Sequence, residues 1–193
     1  MKNIILLILF MTTISCKAQI YPLNTSTLDV PNGSYIKDIN NELDQYIGLW
    51  KANWQGKTIY LDLKKVKKKY SHLDGANIYM DEIFGERKII NANGIVEIDR
   101  ISNFDNENAE FRGVTKSLLS SQYVTITFFP KNMCNKMASL DIKFLNPEKT
   151  QMQMKFRYVP SLLNENCQYA NLIKSGGDLP INFPKEDIIF IKQ

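Results

Sequence analysis

The clearest pattern in the chain is an apolar/polar alternation from Tyr46 to Lys69 that folds back on itself about Gln55-Gly56. A two-residue turn there sets Trp54 against Lys57, Ala52 against Ile59, Trp50 against Leu61 and Gly48 against Leu63. Trp50, Ala52, Ile59, Leu61 and Leu63 then share one apolar face. The other face pairs Asn53 with Thr58, Lys51 with Tyr60, Leu49 with Asp62 and Ile47 with Lys64, a mixed set that can meet water. A slip of one residue would place Trp50 opposite Asp62 and split the apolar set, so the pattern selects the register.

A second hairpin is equally determined. Ala138, Leu140, Ile142 and Phe144 alternate with polar residues, and so do Met152, Met154, Phe156 and Tyr158. The loop Asn146–Thr150 pairs Phe144 with Met152, Ile142 with Met154, Leu140 with Phe156 and Ala138 with Tyr158, and puts Asp141 opposite Lys155 on the wet side. Between the hairpins, Ile78–Ile90 reads as a strand with a bulge or bend at Gly85, Asn91–Gly94 as a turn, and Ile95–Ile101 as a strand. Its register stays open, because the loop pairs Lys88 with Glu97 but also Glu86 with Asp99. Phe111–Lys116, Tyr123–Phe129 and Asp187–Lys192 complete the strands, and Asn103–Glu110, Pro130–Met137 and Ser161–Pro180 are loops. Upstream, Ser34 can cap a short helix carrying Ile36, Ile39 and Leu43, and residues 19–34 form a polar tether before a single domain at 35–193. These elements predict an all-β fold of about 8–10 antiparallel strands with a short N-terminal helix. Hairpins with one apolar face must cover it, so a barrel or a strongly curved sheet is expected, with a sandwich as the alternative.

The short helix followed by Gly48-Leu49-Trp50 resembles the first motif of the lipocalin-like (calycin) barrels, in which the Trp closes one barrel end. The second motif of those barrels, a Thr-Asp-Tyr type turn, is not found, and no late Arg matches as the Trp's partner. From Tyr46 to about Tyr158 the chain is similar to an uncharacterised family of small exported, often lipidated bacterial proteins. They share an Ile-Gly-x-Trp first strand and an Asp-x-Ile-x-Gly third strand, here Asp81-Glu82-Ile83-Phe84-Gly85. That resemblance implies a β-rich exported domain and carries no catalytic residues to transfer.

The N-terminus changes the picture of where the protein works. Lys2 precedes an apolar run, Ile4–Ile14, of signal-peptide length and too short for a stable span. Two cleavage readings compete: a lipobox-like Thr13-Ile14-Ser15-Cys16 with lipidation of Cys16, or ordinary cleavage after Ala18. Both place the mature protein in the cell envelope, lipid-anchored, periplasmic or secreted. Export permits a disulfide, and Cys134 and Cys167 flank the Ala138/Tyr158 end of the second hairpin, so they are expected to pair. The 44% hydrophobic content suits a globular domain, and a formal charge of +4 argues against a nucleic-acid binder.

Candidate chemistry is sparse. The sole histidine, His72, sits beside the Asp74-Gly75 turn with no nucleophile motif near it. Asp81, Glu82 and Glu86 could serve as paired carboxylates, but alternation sends Asp81 and Glu82 to opposite faces and solvated charges fit better. The run Lys64, Lys65, Lys67, Lys68 and Lys69 fits a strand end running into solvent better than an anionic partner site. No metal or cofactor set is seen. The expectation is a non-enzymatic binding module for a small apolar ligand, with Tyr60, Phe128, Phe144, Met152, Met154 and Phe156 as candidate lining residues. The alternative is a protein-interaction or inhibitory domain with a solid core, acting through its loops on an envelope partner.

Overall fold

The structure, a computed structural model, describes residues 19–72, 75–116, 122–159 and 166–193. The expected export segment, Cys16 included, lies outside the described residues. Eleven strands form one sheet: β1 (Ile20–Pro22), β2 (Tyr35–Lys37), β3 (Gly48–Trp54), β4 (Lys57–Ser71), β5 (Asn77–Ile90), β6 (Val96–Asp99), β7 (Phe111–Lys116), β8 (Val124–Phe128), β9 (Met137–Phe144), β10 (Gln151–Val159) and β11 (Ile188–Lys192). Among the described residues, a single short helix, α1 (Ala170–Lys174), and a 3-10 turn at Ile101–Asn103 complete the elements. The chain divides into two units, residues 41–68 with 81–193 and the remainder.

The larger unit is a closed antiparallel barrel of eight strands in the order β5-β4-β3-β11-β10-β9-β8-β7, closed by β7 pairing back onto β5. Closure rests on two residue pairs, Phe84 with Arg112 and Gly85 with Phe111. Gly85 is needed there for space. A Cβ on it would come 2.5 Å from Leu63 Cδ2 and 3.1 Å from Phe111 Cβ. The expected bulge or bend at Gly85 is therefore a close approach of two strands and a neighbouring side chain.

Both hairpins form in the registers the alternation selects. Trp54 faces Lys57, Trp50 faces Leu61 and Gly48 faces Leu63, and the turn residues Gln55 and Gly56 both have positive φ, 48° and 75°. That is the backbone of a primed turn, whose twist suits a two-residue hairpin. Phe144 faces Met152, Leu140 faces Phe156 and Asp141 faces Lys155. The β5–β6 ladder differs from the sequence reading. It pairs Lys88 with Asp99 and Ile89 with Ile98, then shifts at a bulge so that Ile90 meets Val96. The bulge lets Lys88 form an ion pair with Asp99 at 2.8 Å.

The barrel interior is filled from the alternating inward positions: Trp50, Ile59, Leu61, Leu63, Ile83, Ile89, Phe111, Ile126, Phe128, Leu140, Ile142, Met152, Met154 and Phe190 are all fully or almost fully buried. Trp50 lies near one end. Its indole Nε1–H donates to the Tyr46 carbonyl at 2.8 Å, and Tyr46 stacks on Phe144 at 5.2 Å between centroids. The Lys192 ammonium lies 5.4 Å from the centre of the Trp50 ring. Gly48, at φ +128°, leaves room for that lysine, since a Cβ would approach its Cε to 3.0 Å. The cation beside Trp50 is thus Lys192, from the last strand.

In the smaller unit, residues 19–40 with 69–80, β1 pairs in parallel with β2, and β2 in parallel with the start of β5 through Tyr35↔Tyr79 and Ile36↔Met80. The expected helix after Ser34 is therefore a strand. Its backbone is claimed by the sheet, Tyr79 N–H donating to Ser34 O, and Asn41 at φ 56° ends any helical continuation. Ile36 is buried while Ile39 is half exposed, so the helical spacing of Ile36, Ile39 and Leu43 marks no common face. The segment expected as a tether begins with β1 and turns back through Thr25 N–H to Pro22 O and Ser34 N–H to Pro31 O.

Truncating the fully buried Trp50 removes core volume and orphans the Tyr46 carbonyl, so Trp50→Ala is expected to lower stability by about 3–5 kcal/mol in urea unfolding. Trp54 is only half buried and bonds Glu186 at 2.6 Å, so Trp54→Ala is expected to be milder. In single-tryptophan variants, acrylamide is expected to quench Trp54 more readily than Trp50.

Candidate functional site

The most unusual chemistry in the barrel is a buried ionic cluster next to its closure. Period-two alternation along β5 turns Ile83, Gly85, Arg87 and Ile89 inward. Arg87 is thus a cation inside an apolar wall, its side chain 4% exposed. Its Nε donates to Glu110 Oε2 at 2.8 Å, and its Nη1 donates to the carbonyls of Ile181 and Asn182 at 2.7 and 2.8 Å. The guanidinium lies 5.1 Å from the Phe128 ring centre and 5.8 Å from that of Phe183. Phe128 stacks on Phe111 at 4.6 Å, and Phe183 closes against both. The end of the barrel is filled by this group of one cation and three aromatic rings.

Glu86 points the opposite way from Arg87 and is fully buried. Arg100 meets it in a two-point contact, Nε to Oε2 at 2.8 Å and Nη2 to Oε1 at 3.2 Å, and also lies 3.8 Å from Glu110. Burial pushes the Glu86 carboxyl above its ordinary range, opposed by the bond and charge of Arg100. Reading Glu86 and Asp81 as solvated charges is therefore corrected: both are buried. The same correction applies to Asp141, placed on the wet side by alternation. It is fully buried, accepts from Thr125 Oγ1 at 2.5 Å and lies 3.5 Å from Arg157 Nη2. Lys155, its cross-strand neighbour, pairs instead with Asp187 at 3.4 Å.

Glu110 ties the cluster to the loop between β8 and β9. Its Oε1 accepts the Lys131 N–H at 3.1 Å and its backbone carbonyl accepts the Phe129 N–H at 2.6 Å. Lys131 Nζ bonds the Asn108 carbonyl. Further along, Cys134 is joined to Cys167 by a disulfide, as the hairpin register predicts, with Cα atoms 5.3 Å apart. Three non-glycine residues of this loop, Asn132, Cys134 and Asn135, hold φ of 59–60°. Such left-handed conformations persist where the surroundings over-determine them, and they gather at functional sites. The loop walls a surface groove of about 810 Å³ bounded by residues 129–137 with Cys167 and Gln168. Its wall includes Lys131 and Lys136 and, among the described residues, no carboxylate.

Five of the six candidate lining residues lie on the inward face of the barrel. Phe128, Met152 and Met154 are buried in the packed interior, and Phe144 and Phe156 share their inward face. Tyr60 stands on the opposite face, 5.8 Å beneath the Lys51 ammonium. Four of the clefts bounded by described residues are lined by none of the six. In the lysine run, Lys65 pairs with Asp44, Lys68 with Glu107, and Lys64 with Asp62 at 3.2 Å. His72 uses its backbone N–H on the Ala76 carbonyl in the turn between β4 and β5. Among the described residues, no group of three or more His, Cys, Asp or Glu is placed to hold a metal ion.

Removing one member of a buried pair leaves an uncompensated charge at a cost of about 3–5 kcal/mol. Glu110→Leu and Arg87→Met are each expected to destabilise by that order, and the double variant by less than their sum, as a double-mutant cycle in urea will read. Glu86 gives a pH signature. Its folded-state pKa is raised, so its contribution is fully present below the unfolded value and is lost as pH rises through the folded one. The stability of wild type relative to Glu86→Gln is therefore expected to be greatest in acid and to fall as pH rises through and above the ordinary carboxylate range.

Comparison with curated proteins found no match. Comparison with solved structures likewise found none. A family model matches residues 1–193, the whole length, and the chain therefore belongs to that family, described as "Family of unknown function (DUF6705)".

Proposed function

We propose that this protein is a non-enzymatic binding module of the bacterial cell envelope that engages a partner through the disulfide-held loop at 129–137, not through the barrel interior. The observation that carries the reading is the division of labour in the barrel. The inward side chains fill the interior, whereas the 129–137 loop is fixed from several sides and borders an open groove. A small barrel packed solid has no room for an enclosed apolar ligand, and a rigid exposed loop loses little entropy on binding. Export rests on the sequence of residues 1–18, and the disulfide suits an oxidising compartment. Lipidation of Cys16 would add a membrane anchor to the same reading.

Two measurements test this. Denaturing mass spectrometry and organic extraction of the purified exported protein are expected to release no stoichiometric apolar molecule; recovery of one would restore the interior-ligand reading. A photo-crosslinking residue at exposed Asn132 or Asn135 is expected to capture a discrete envelope partner in living cells. Capture should fall at least tenfold in Cys134→Ala/Cys167→Ala, a change expected to cost about 3–4 kcal/mol of stability if the chain-entropy account holds. Equal capture without the disulfide would remove the loop from the interface.

A further inference from the structure

The groove at the 129–137 loop is walled by donors. Met133 to Lys136 is a tight turn, closed by Lys136 N–H donating to Met133 O at 2.8 Å. Its two central residues, Cys134 and Asn135, have φ of 59° and 60°. Positive φ at both central positions marks a type I′ turn, whose own hydrogen bond leaves the central N–H groups unused. Asn132, at φ 60°, precedes it. Among the described residues, the N–H groups of Asn132, Cys134 and Asn135 and the carboxamides of Asn132 and Asn135 have no hydrogen-bond partner. Asn132 and Asn135 are exposed.

Charge on this wall has one sign. Lys131 is partly engaged, since its ammonium bonds the Asn108 carbonyl and acts on the nearby Asp105. Glu110, behind the loop, is buried and already holds Arg87. Lys136 is the freer cation. Among the described residues its ammonium meets no carboxylate, and it lies 5.0 Å from the Tyr158 ring centre. It also borders an adjoining cleft of about 220 Å³ with Tyr158 and Asp178. Asp178 is taken by Lys185 at 2.9 Å, so the carboxylate of that cleft does not neutralise Lys136.

We infer that this groove receives an acidic, extended segment of the partner protein, with a carboxylate of the segment paired to Lys136. The inference rests on the proposed role of the 129–137 loop and names the chemistry of what the loop engages. An ionised Asp or Glu side chain is acceptor-only, which suits a wall that offers ammonium, N–H and carboxamide donors. A basic segment would bring a like charge against Lys136 with no carboxylate of the wall to receive it. An anionic bilayer is held by clusters of roughly 4–8 Lys or Arg, and this wall brings two, Lys131 and Lys136. A single small anion would leave most of an 810 Å³ groove open.

Random linear seven-residue peptides displayed on phage are selected on the full folded protein. Selected peptides are expected to be richer in Asp and Glu than the unselected library and to shift the amide resonances of Asn132, Cys134 and Asn135. Lys136→Gln is expected to weaken them about tenfold, the value of one charge-assisted hydrogen bond, and Lys136→Arg to retain them. In Lys136→Glu, a peptide whose acidic residue is replaced by Lys is expected to bind better than its parent. No selected peptide, neutral or basic peptides, or acidic peptides indifferent to Lys136→Gln would overturn the inference. So would inorganic phosphate binding the same amides as tightly as the peptides, or phosphatidylglycerol vesicles binding in a manner lost with Lys136→Gln. Photo-crosslinking at Asn132 separates the two levels of the argument. Capture that needs the disulfide but is undiminished in Lys131→Gln/Lys136→Gln keeps the loop as an interface and overturns the acidic segment. Should Lys131→Gln lower stability, Lys136→Gln alone decides.

Discussion

The pairing of Gly85 with Phe111 is the contact on which the barrel depends. It joins the third and the fourth wall strands of the chain across the closing seam, and it does so over two residue pairs. Without a side chain at Gly85, Leu63 and Phe111 can meet across the seam. That approach brings the side chain of Arg87, two residues on, within hydrogen-bond reach of Glu110, the residue before Phe111. The ion pair is therefore a product of the closure register, and a one-residue slip would turn Arg87 outward and strand Glu110 in an apolar wall. Electrostatics here enforces the register that packing makes possible.

The same contact explains how the barrel end and the 129–137 loop are held as one piece. Glu110 makes three contacts through one residue: its carboxylate binds Arg87 of β5 and the amide of Lys131, and its carbonyl binds the amide of Phe129. Arg87 in turn binds the carbonyls of Ile181 and Asn182. Buried charges held by several hydrogen bonds are costly to form and costly to disturb, and they favour one arrangement of the chain over near alternatives. The disulfide adds a covalent tie on the outer side of the loop.

Much of this was legible in the sequence. The two hairpins were readable because alternation and turn chemistry agree, and Gln55-Gly56 could take the positive φ values a primed turn needs. The cysteine pairing followed from the second register. The short helix after Ser34 was misread because three apolar residues spaced like a helix are too few to outweigh a sheet edge that takes the backbone. Arg87 was missed, and Asp141 and Glu86 were misjudged, for a different reason. Alternation identifies two faces of a strand but assumes that the polar one meets water, and β5 and β9 are buried on both. The signal that could have found Arg87 is its place in the sequence Ile83, Gly85, Arg87, Ile89, a cation in phase with the apolar set. Phe183 and the Ile181–Asn182 carbonyls were beyond reach, since nothing in an irregular segment announces which strand end it will cover.

The short β3–β11 ladder also sets a schedule for assembly. Trp50 and Lys192 are partners across most of the described chain, whereas the β9–β10 and β3–β4 hairpins are local. Local hairpins form early, and contacts between distant residues wait on loop closure, so the ring is expected to be completed last at this joint. During that interval the first-strand tryptophan and its apolar face stay open to water. A chain that remains unclosed until its late strand arrives also remains threadable.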